Sequence, residues 1–195
     1  MSLFDKIAPL YSRFFDFQVR YFTKIQEKMR NEIDFTKYNS ILDIGCGTGA
    51  LCKVFYDRGL EVVGVDPSKG MLAQANKKLN NLLIKLSHII PGESLPFPEK
   101  SFDIVFTSYV AHGLKKEERI KLYKEMKRLS KELVIIHDYN ENRGLLTSVV
   151  EYLENGDYFN FIKTAEKEMK EVFSEVKKVD VDKRAAWYIC NPTEQ

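Results

Sequence analysis

The sequence is short of cysteine, of long apolar runs and of any excess of one charge. Its three cysteines, Cys46, Cys52 and Cys190, form an odd set without CxxC spacing. That pattern argues against a disulfide framework or a structural zinc site; no metal is expected, and a reducing cytoplasm is the expected setting. No stretch approaches the roughly 20 apolar residues that cross a bilayer. Residues 1–10 include Asp5 and Lys6 and no apolar core, so no secretory signal is expected. Lys and Arg number 30 against 28 Asp and Glu, a net charge of +2, which argues against a module that coats nucleic acid. No GxxxxGKS/T string occurs, which excludes a phosphate-cradling P-loop.

What is present suits a globular chain. Hydrophobic residues make up 44% of 195, enough to bury one core, and without repeats or linkers the economical reading is a single domain over 1–195. In residues 1–39, Val19, Phe22, Ile25, Met29 and Ile33 recur at helical spacing. The aromatic segment before them, Ala8-Pro9-Leu10-Tyr11-Ser12-Arg13-Phe14-Phe15, is expected in the core. Short, almost wholly apolar strands are then predicted at 41–44, 61–66, 83–90, 102–107 and 133–136, alternating with helices. Such strands, buried on both faces, predict a doubly wound α/β fold with a mostly parallel sheet. Gly59 is placed to stop the first of these helices and Ser68 to cap the second. Beyond 139, Leu145, Leu146, Val149, Val150 and Leu153 suggest one helix, and 164–173 another. Strands at 176–181 and 185–190, joined by Asp182-Lys183-Arg184, form an antiparallel pair.

One motif carries chemistry. The first strand runs into Gly45-Cys46-Gly47-Thr48-Gly49 and then a helix. Glycines permit a sharp turn and let the backbone approach a ligand, whose anionic groups meet the N–H groups of the helix start. Asp66 ends the next strand, 17 residues beyond Gly49, where a carboxylate can take both hydroxyls of a ribose. The unit therefore points to an adenosine-containing ligand. The spacing is GxGxG rather than the GxGxxG of nicotinamide enzymes, and Asp43 stands two residues before the first glycine. A dinucleotide has little use for a carboxylate beside its pyrophosphate; a nucleoside bearing an amino acid can give it an ammonium group.

Leu42-Asp43-Ile44-Gly45-Cys46-Gly47-Thr48-Gly49 resembles the first motif of class I S-adenosylmethionine (SAM)-dependent methyltransferases. The resemblance continues through Val63-Gly64-Val65-Asp66-Pro67-Ser68, through 93–105, and through Ser108-Tyr109-Val110-Ala111-His112-Gly113-Leu114. It covers about residues 40–138, with four motifs in order. It implies a Rossmann-like, seven-stranded sheet in the order 3-2-1-4-5-7-6 with strand seven antiparallel, and SAM as cofactor. By the same resemblance, residues 1–39 are a helical lid, 40–138 the cofactor-binding core and 139–195 substrate-covering helices and the closing hairpin. Asp43, Gly45, Cys46 and Gly47 would lie along the methionine part, Asp66 at the ribose, Pro67 and Met71 near the adenine, and Gly92 and Glu93 at its edge. Ser108 and Tyr109 would close the site. Where many relatives carry an acid beside the adenine amino group, this chain has Pro91, with neither carboxylate nor N–H.

No catalytic residue is fixed by sequence; His112, Tyr11 and Tyr139 are candidates for acceptor placement, His112 also for a base. Cys46 reads as a wall residue rather than a nucleophile. His137 and Asp138 end the fifth strand, Asp138 serving the substrate or capping a helix. The Lys- and Arg-rich run 115–131, Arg119 included, is interleaved with Glu and reads as a solvated helix face. Tyr152, Tyr158, Phe159 and Phe161 read as core in preference to pocket lining. The expected acceptor is a small, partly apolar molecule and the expected assembly a monomer or homodimer. A nicotinamide-dependent oxidoreductase and a non-catalytic binder of SAM or another nucleotide are the alternatives.

Overall fold

A computed structural model describes residues 3–142 and 157–193. The predicted helical stripe Leu145 to Leu153 and Tyr152 lie outside the described residues. The chain divides into two compact units, Met1–Glu93 and Ser94–Gln195, each described by itself.

The first unit opens with helices α1 (Leu3–Arg13) and α2 (Phe15–Met29). β1 (Ser40–Ile44), α3 (Ala50–Tyr56), β2 (Glu61–Asp66), α4 (Lys69–Lys78) and β3 (Lys85–His88) follow. β1 pairs parallel with β2, and β2 with β3. Ile41, Leu42, Val62 and Val65 are buried, as strands covered on both faces require. Gly59 (φ 88°) follows α3, and the Ser68 hydroxyl caps α4 by accepting from Met71 N at 3.1 Å. β2 contains Gly64 because a Cβ there would lie 2.9 Å from Cys52 Sγ and 2.9 Å from Leu86 Cδ2.

Two expectations for this unit need correction. The aromatic segment is not core: Ala8 and Phe15 are buried, but Leu10, Tyr11 and Phe14 are 54%, 42% and 54% exposed. The chain turns between the two helices at Phe14, and α1 gives only its Ala8 side to α4. β3 covers four residues instead of 83–90, with Leu83 and Ile90 exposed, because its partner β2 ends at Asp66.

The second unit contains β4 (Phe102–Ser108), a single 3-10 turn (Ala111–Gly113), α5 (Lys116–Leu129) and β5 (Ser130–Tyr139). α6 (Tyr158–Lys170), β6 (Glu175–Asp182) and β7 (Ala185–Asn191) complete it. β4 and β5 are parallel; β7 runs antiparallel to both β5 and β6. The strand order is β3-β2-β1-β4-β5-β7-β6, a seven-stranded Rossmann-like sheet as expected. α6 begins six residues before the predicted 164, and buries Tyr158 and Phe161 as core. Lys115, Lys116, Lys121, Lys124 and Lys131 are exposed as expected of a solvated face, but Arg119 departs from it. It is fully buried, its Nε and Nη2 donating to Glu168 at 2.6 and 2.9 Å and its Nη1 to Asp157 at 2.9 Å. Two carboxylates from outside α5 explain how a guanidinium survives there.

Candidate functional site

In the first unit the glycine turn is held from both sides. Gly45 N and Cys46 N donate to Val65 O at 2.8 and 3.1 Å. Gly47 N donates to Asp66 Oδ2 at 2.8 Å, and Ser68 N to Asp66 Oδ1 at 2.7 Å. Asp66 thus staples the turn after β1 to the start of α4. Gly47 sits at φ 54°, and a Cβ there would meet nothing within 4 Å. Glycine is needed there for the left-handed backbone, and the space beside it is open to a ligand. Burial raises the Asp66 pKa against these N–H donors.

Asp43 lies deeper, 1% exposed and paired in register with Gly64. Its Oδ2 accepts from Cys52 Sγ at 3.3 Å, while Oδ1 has no hydrogen-bond partner among the described residues. Burial pushes its pKa up to about 7, and the Asp66 charge adds to the rise. A buried carboxylate in this position calls for a proton or a cation. The Cys46 thiol is raised too: its hydrogen bond with Cys52 lowers it, but burial and the two aspartates outweigh that. Cys46 is therefore a buried wall residue, with no thiolate ready for attack.

Met71 is buried on α4, Pro67 is exposed, and Ile89 N donates to Asp66 O at 3.3 Å. That bond returns the chain to Asp66 just before the loop bearing Gly92 (φ 83°) and Glu93, both exposed. Asp5 was not singled out in the sequence. Its Oδ1 accepts from Ser68 Oγ at 2.7 Å and Gly70 N at 3.0 Å, fastening α1 to the start of α4. The only signal was Gly70, a glycine early in a helix with no turn to make. Tyr11, on the same α1, is partly exposed.

In the second unit the ends of β4 and β5 gather Ser108, Tyr109, His112, His137, Asp138 and Tyr139. Ser108 Oγ is buried without a hydrogen-bond partner among the described residues. Tyr109 has φ 53°, a left-handed backbone rare for a bulky residue, held by its N–H donating to His137 O at 2.8 Å. Its ring lies 4.8 Å from that of His137 and 5.2 Å from that of Tyr139. His137 is fully buried; its Nδ1 accepts from Trp187 Nε1 at 2.8 Å, and burial lowers its pKa to about 4. It is a neutral core histidine. Asp138 is fully buried. It accepts from His112 Nδ1 at 2.8 Å, His112 N at 3.2 Å and Tyr139 N at 2.8 Å. Among the described residues no cluster of His, Cys, Asp or Glu is placed to hold a metal, and no helix is long and apolar enough to cross a membrane.

A family described as "Methyltransferase domain" matches residues 42–136. An uncharacterized methyltransferase of Staphylococcus carnosus is 30% identical over 166 residues, covering 82% of this chain and 78% of that protein. One from Alkaliphilus oremlandii is 38% identical over 101 residues, 51% of this chain but 44% of its own length. Among solved structures, a putative SAM-dependent methyltransferase of Methanococcus maripaludis superposes with TM-score 0.75 at 17% identity, covering 100% of this chain and 96% of that one. A SAM-dependent methyltransferase of Aquifex aeolicus gives 0.64 at 19%, over 86% and 89%. These two share the fold, and the Staphylococcus relative shares the sequence over most of both lengths. The chain belongs to the class I SAM-dependent methyltransferase family.

Proposed function

We propose that the protein binds SAM and transfers its methyl group, by in-line displacement, to a small, partly apolar acceptor, the chain working as a single domain. The observation that carries this reading is Asp43 Oδ1, a buried carboxylate oxygen without a hydrogen-bond partner among the described residues. An ammonium group of the cofactor's methionine end satisfies it; a nicotinamide dinucleotide brings no cation beside its pyrophosphate.

The roles follow from the chain's own groups. Gly45, Cys46 and Gly47 offer backbone beside the amino-acid end, and Asp66 offers its carboxylate to the ribose. Met71 and Pro67 flank the base, with Gly92 and Glu93 at its edge. The family resemblance adds Ser108, whose hydroxyl is buried, and Tyr109 as the residues that close the site. The bound sulfonium supplies an already activated methyl carbon, so the protein's work is placement and exclusion of water rather than covalent catalysis. Tyr11, Tyr139 and His112 are the side chains proposed to place the acceptor.

Calorimetry with S-adenosylhomocysteine tests the reading. Wild type should bind it, Asp66→Ala should bind at least about tenfold more weakly, and Asp43→Asn likewise, since each loses a charge-assisted contact. Well-folded wild type that takes up neither SAM nor S-adenosylhomocysteine removes the reading.

A further inference from the structure

The first unit holds a cavity of about 450 Å³ between the end of α2, a 3-10 turn (Phe35–Lys37) and the residues that follow α3. Gln26 and Arg30 stand four apart at the end of α2 and share one of its faces; Arg58 comes just after α3. The 3-10 turn leads into β1 and Arg58 into β2, and Glu61 N donates to Asn39 O at 2.7 Å where the two strands begin. The cavity therefore lies at the amino ends of β1 and β2. The glycine turn and Asp66 stand at the carboxyl ends, the length of β1 away, roughly 15 Å. This is a different site from the one assigned to the cofactor, and nothing in the methyl-transfer reading uses it.

Its lining has donors to spare. Gln26 is 1% exposed, and its Oε1 accepts from Arg58 Nε. A guanidinium only donates, so the amide oxygen must face it and the NH2 group lies on the other side. That Nε2 is buried with no acceptor among the described residues, and a buried donor in a cavity wall calls for an oxygen. The Arg30 side chain makes no ion pair or hydrogen bond among the described residues, and Arg58 commits only Nε. The two carboxylates of the lining have other partners. Asp34 Oδ1 accepts from Thr36 N at 3.1 Å and Thr36 Oγ1 at 2.6 Å, and Asp57 takes Lys53 Nζ on Oδ1 at 2.9 Å and on Oδ2 at 2.6 Å. Two guanidiniums without a carboxylate suit a dianion better than a single carboxylate group, and Gln26 offers a donor to a further oxygen. The volume is that of a small-molecule site, and Ile33 and Phe35 add apolar wall to it. We propose that this cavity binds a small organic phosphate, its dianionic end held by Arg30, Arg58 and Gln26 Nε2 and its carbon part set against Ile33 and Phe35.

Calorimetry on the full chain with phenyl phosphate tests this, at about pH 8, where the probe is a dianion. Wild type should bind it at least about tenfold more tightly than inorganic phosphate or benzoate. Arg30→Ala and Arg58→Ala should each lose at least about tenfold, because each removes a charge-assisted contact. Both arginines are exposed, so neither change opens the core. Arg20→Ala, which removes another exposed arginine of α2 outside the cavity, should bind as wild type does. In glutamine-15N-labelled protein the side-chain NH2 signal of Gln26 should shift as phenyl phosphate is added. Saturating S-adenosylhomocysteine should leave the affinity for phenyl phosphate unchanged. Failure to bind phenyl phosphate, or equal affinity for inorganic phosphate or benzoate, overturns the proposal. So does unchanged affinity in either cavity-arginine variant, an equal loss in Arg20→Ala, a Gln26 signal that stays in place, or competition by S-adenosylhomocysteine, which would seat the probe at the glycine turn instead.

Discussion

Asp43 makes cofactor binding depend on pH in a range where assays are run. Its pKa is raised by burial to about 7, so near pH 6 most of the population holds a proton there and near pH 8 most is charged. Only the charged form pairs with an ammonium group. Affinity for S-adenosylhomocysteine should therefore rise about tenfold from pH 6 to pH 8 in wild type and stay flat in Asp43→Asn, by calorimetry in matched buffers. Stability runs the other way. The folded state holds this proton more tightly than the unfolded chain, so the contribution of Asp43 falls as pH rises from its unfolded value near 4 to about 7, and is level above that. Asp43→Asn should remove that slope from urea unfolding midpoints. Much at this scale was legible, because a left-handed turn is written in glycine and a strand-end carboxylate in its spacing. Arg119 was not. Interleaved Lys and Glu look solvated whatever their burial, and its partner Glu168 stands 49 residues away. Asp5 was hidden for the same reason, 63 residues from Ser68.

At the scale of elements, the N-terminal helix depends on one glycine. A Cβ on Gly70 would lie 2.9 Å from both Cα and O of Asp5, and backbone cannot yield as a side-chain tip can. Gly70→Ala should raise the intrinsic helix propensity of α4 yet push α1 away, breaking the bonds from Ser68 Oγ and Gly70 N to Asp5. Hydrogen exchange should show α1 losing protection while β1 and β2 keep theirs, and limited proteolysis should cut first within residues 3–13. Full protection of α1 in the variant would mean that the contact is looser than it stands. Apolar runs told where strands begin, and periodicity where α5 lies. They misjudged ends set by neighbours: β3 stops where β2 stops, and α6 starts at Tyr158, whose buried ring outweighs the polar residues around it. The α1 aromatics misled because apolar character predicts burial only on average, and a short helix has one face to bury.

For the whole molecule, the Arg119 cluster and the two carboxylates proposed to hold the cofactor lie far apart in the chain, so their effects on stability and on binding can be measured separately. The Arg119 cluster joins α5 to Glu168 of α6 and to Asp157 just before it, all inside Ser94–Gln195. The carboxylates proposed to hold the cofactor, Asp43 and Asp66, lie inside Met1–Glu93. Arg119→Ala leaves Glu168 buried without its cation, a change that costs about 3–5 kcal/mol in comparable buried pairs. For a chain of this length that corresponds to a fall in Tm on the order of 10 °C. Replacing Arg119 and Glu168 together with Met and Leu removes both charges and should recover most of the loss, because no lone carboxylate then stays in the interior. At temperatures where Arg119→Ala is still folded, its affinity for S-adenosylhomocysteine should match wild type within about twofold, since the mutation touches none of the groups assigned to the cofactor. A fall in affinity in step with the fall in Tm would show instead that loss of the Arg119 cluster reaches the groups assigned to the cofactor.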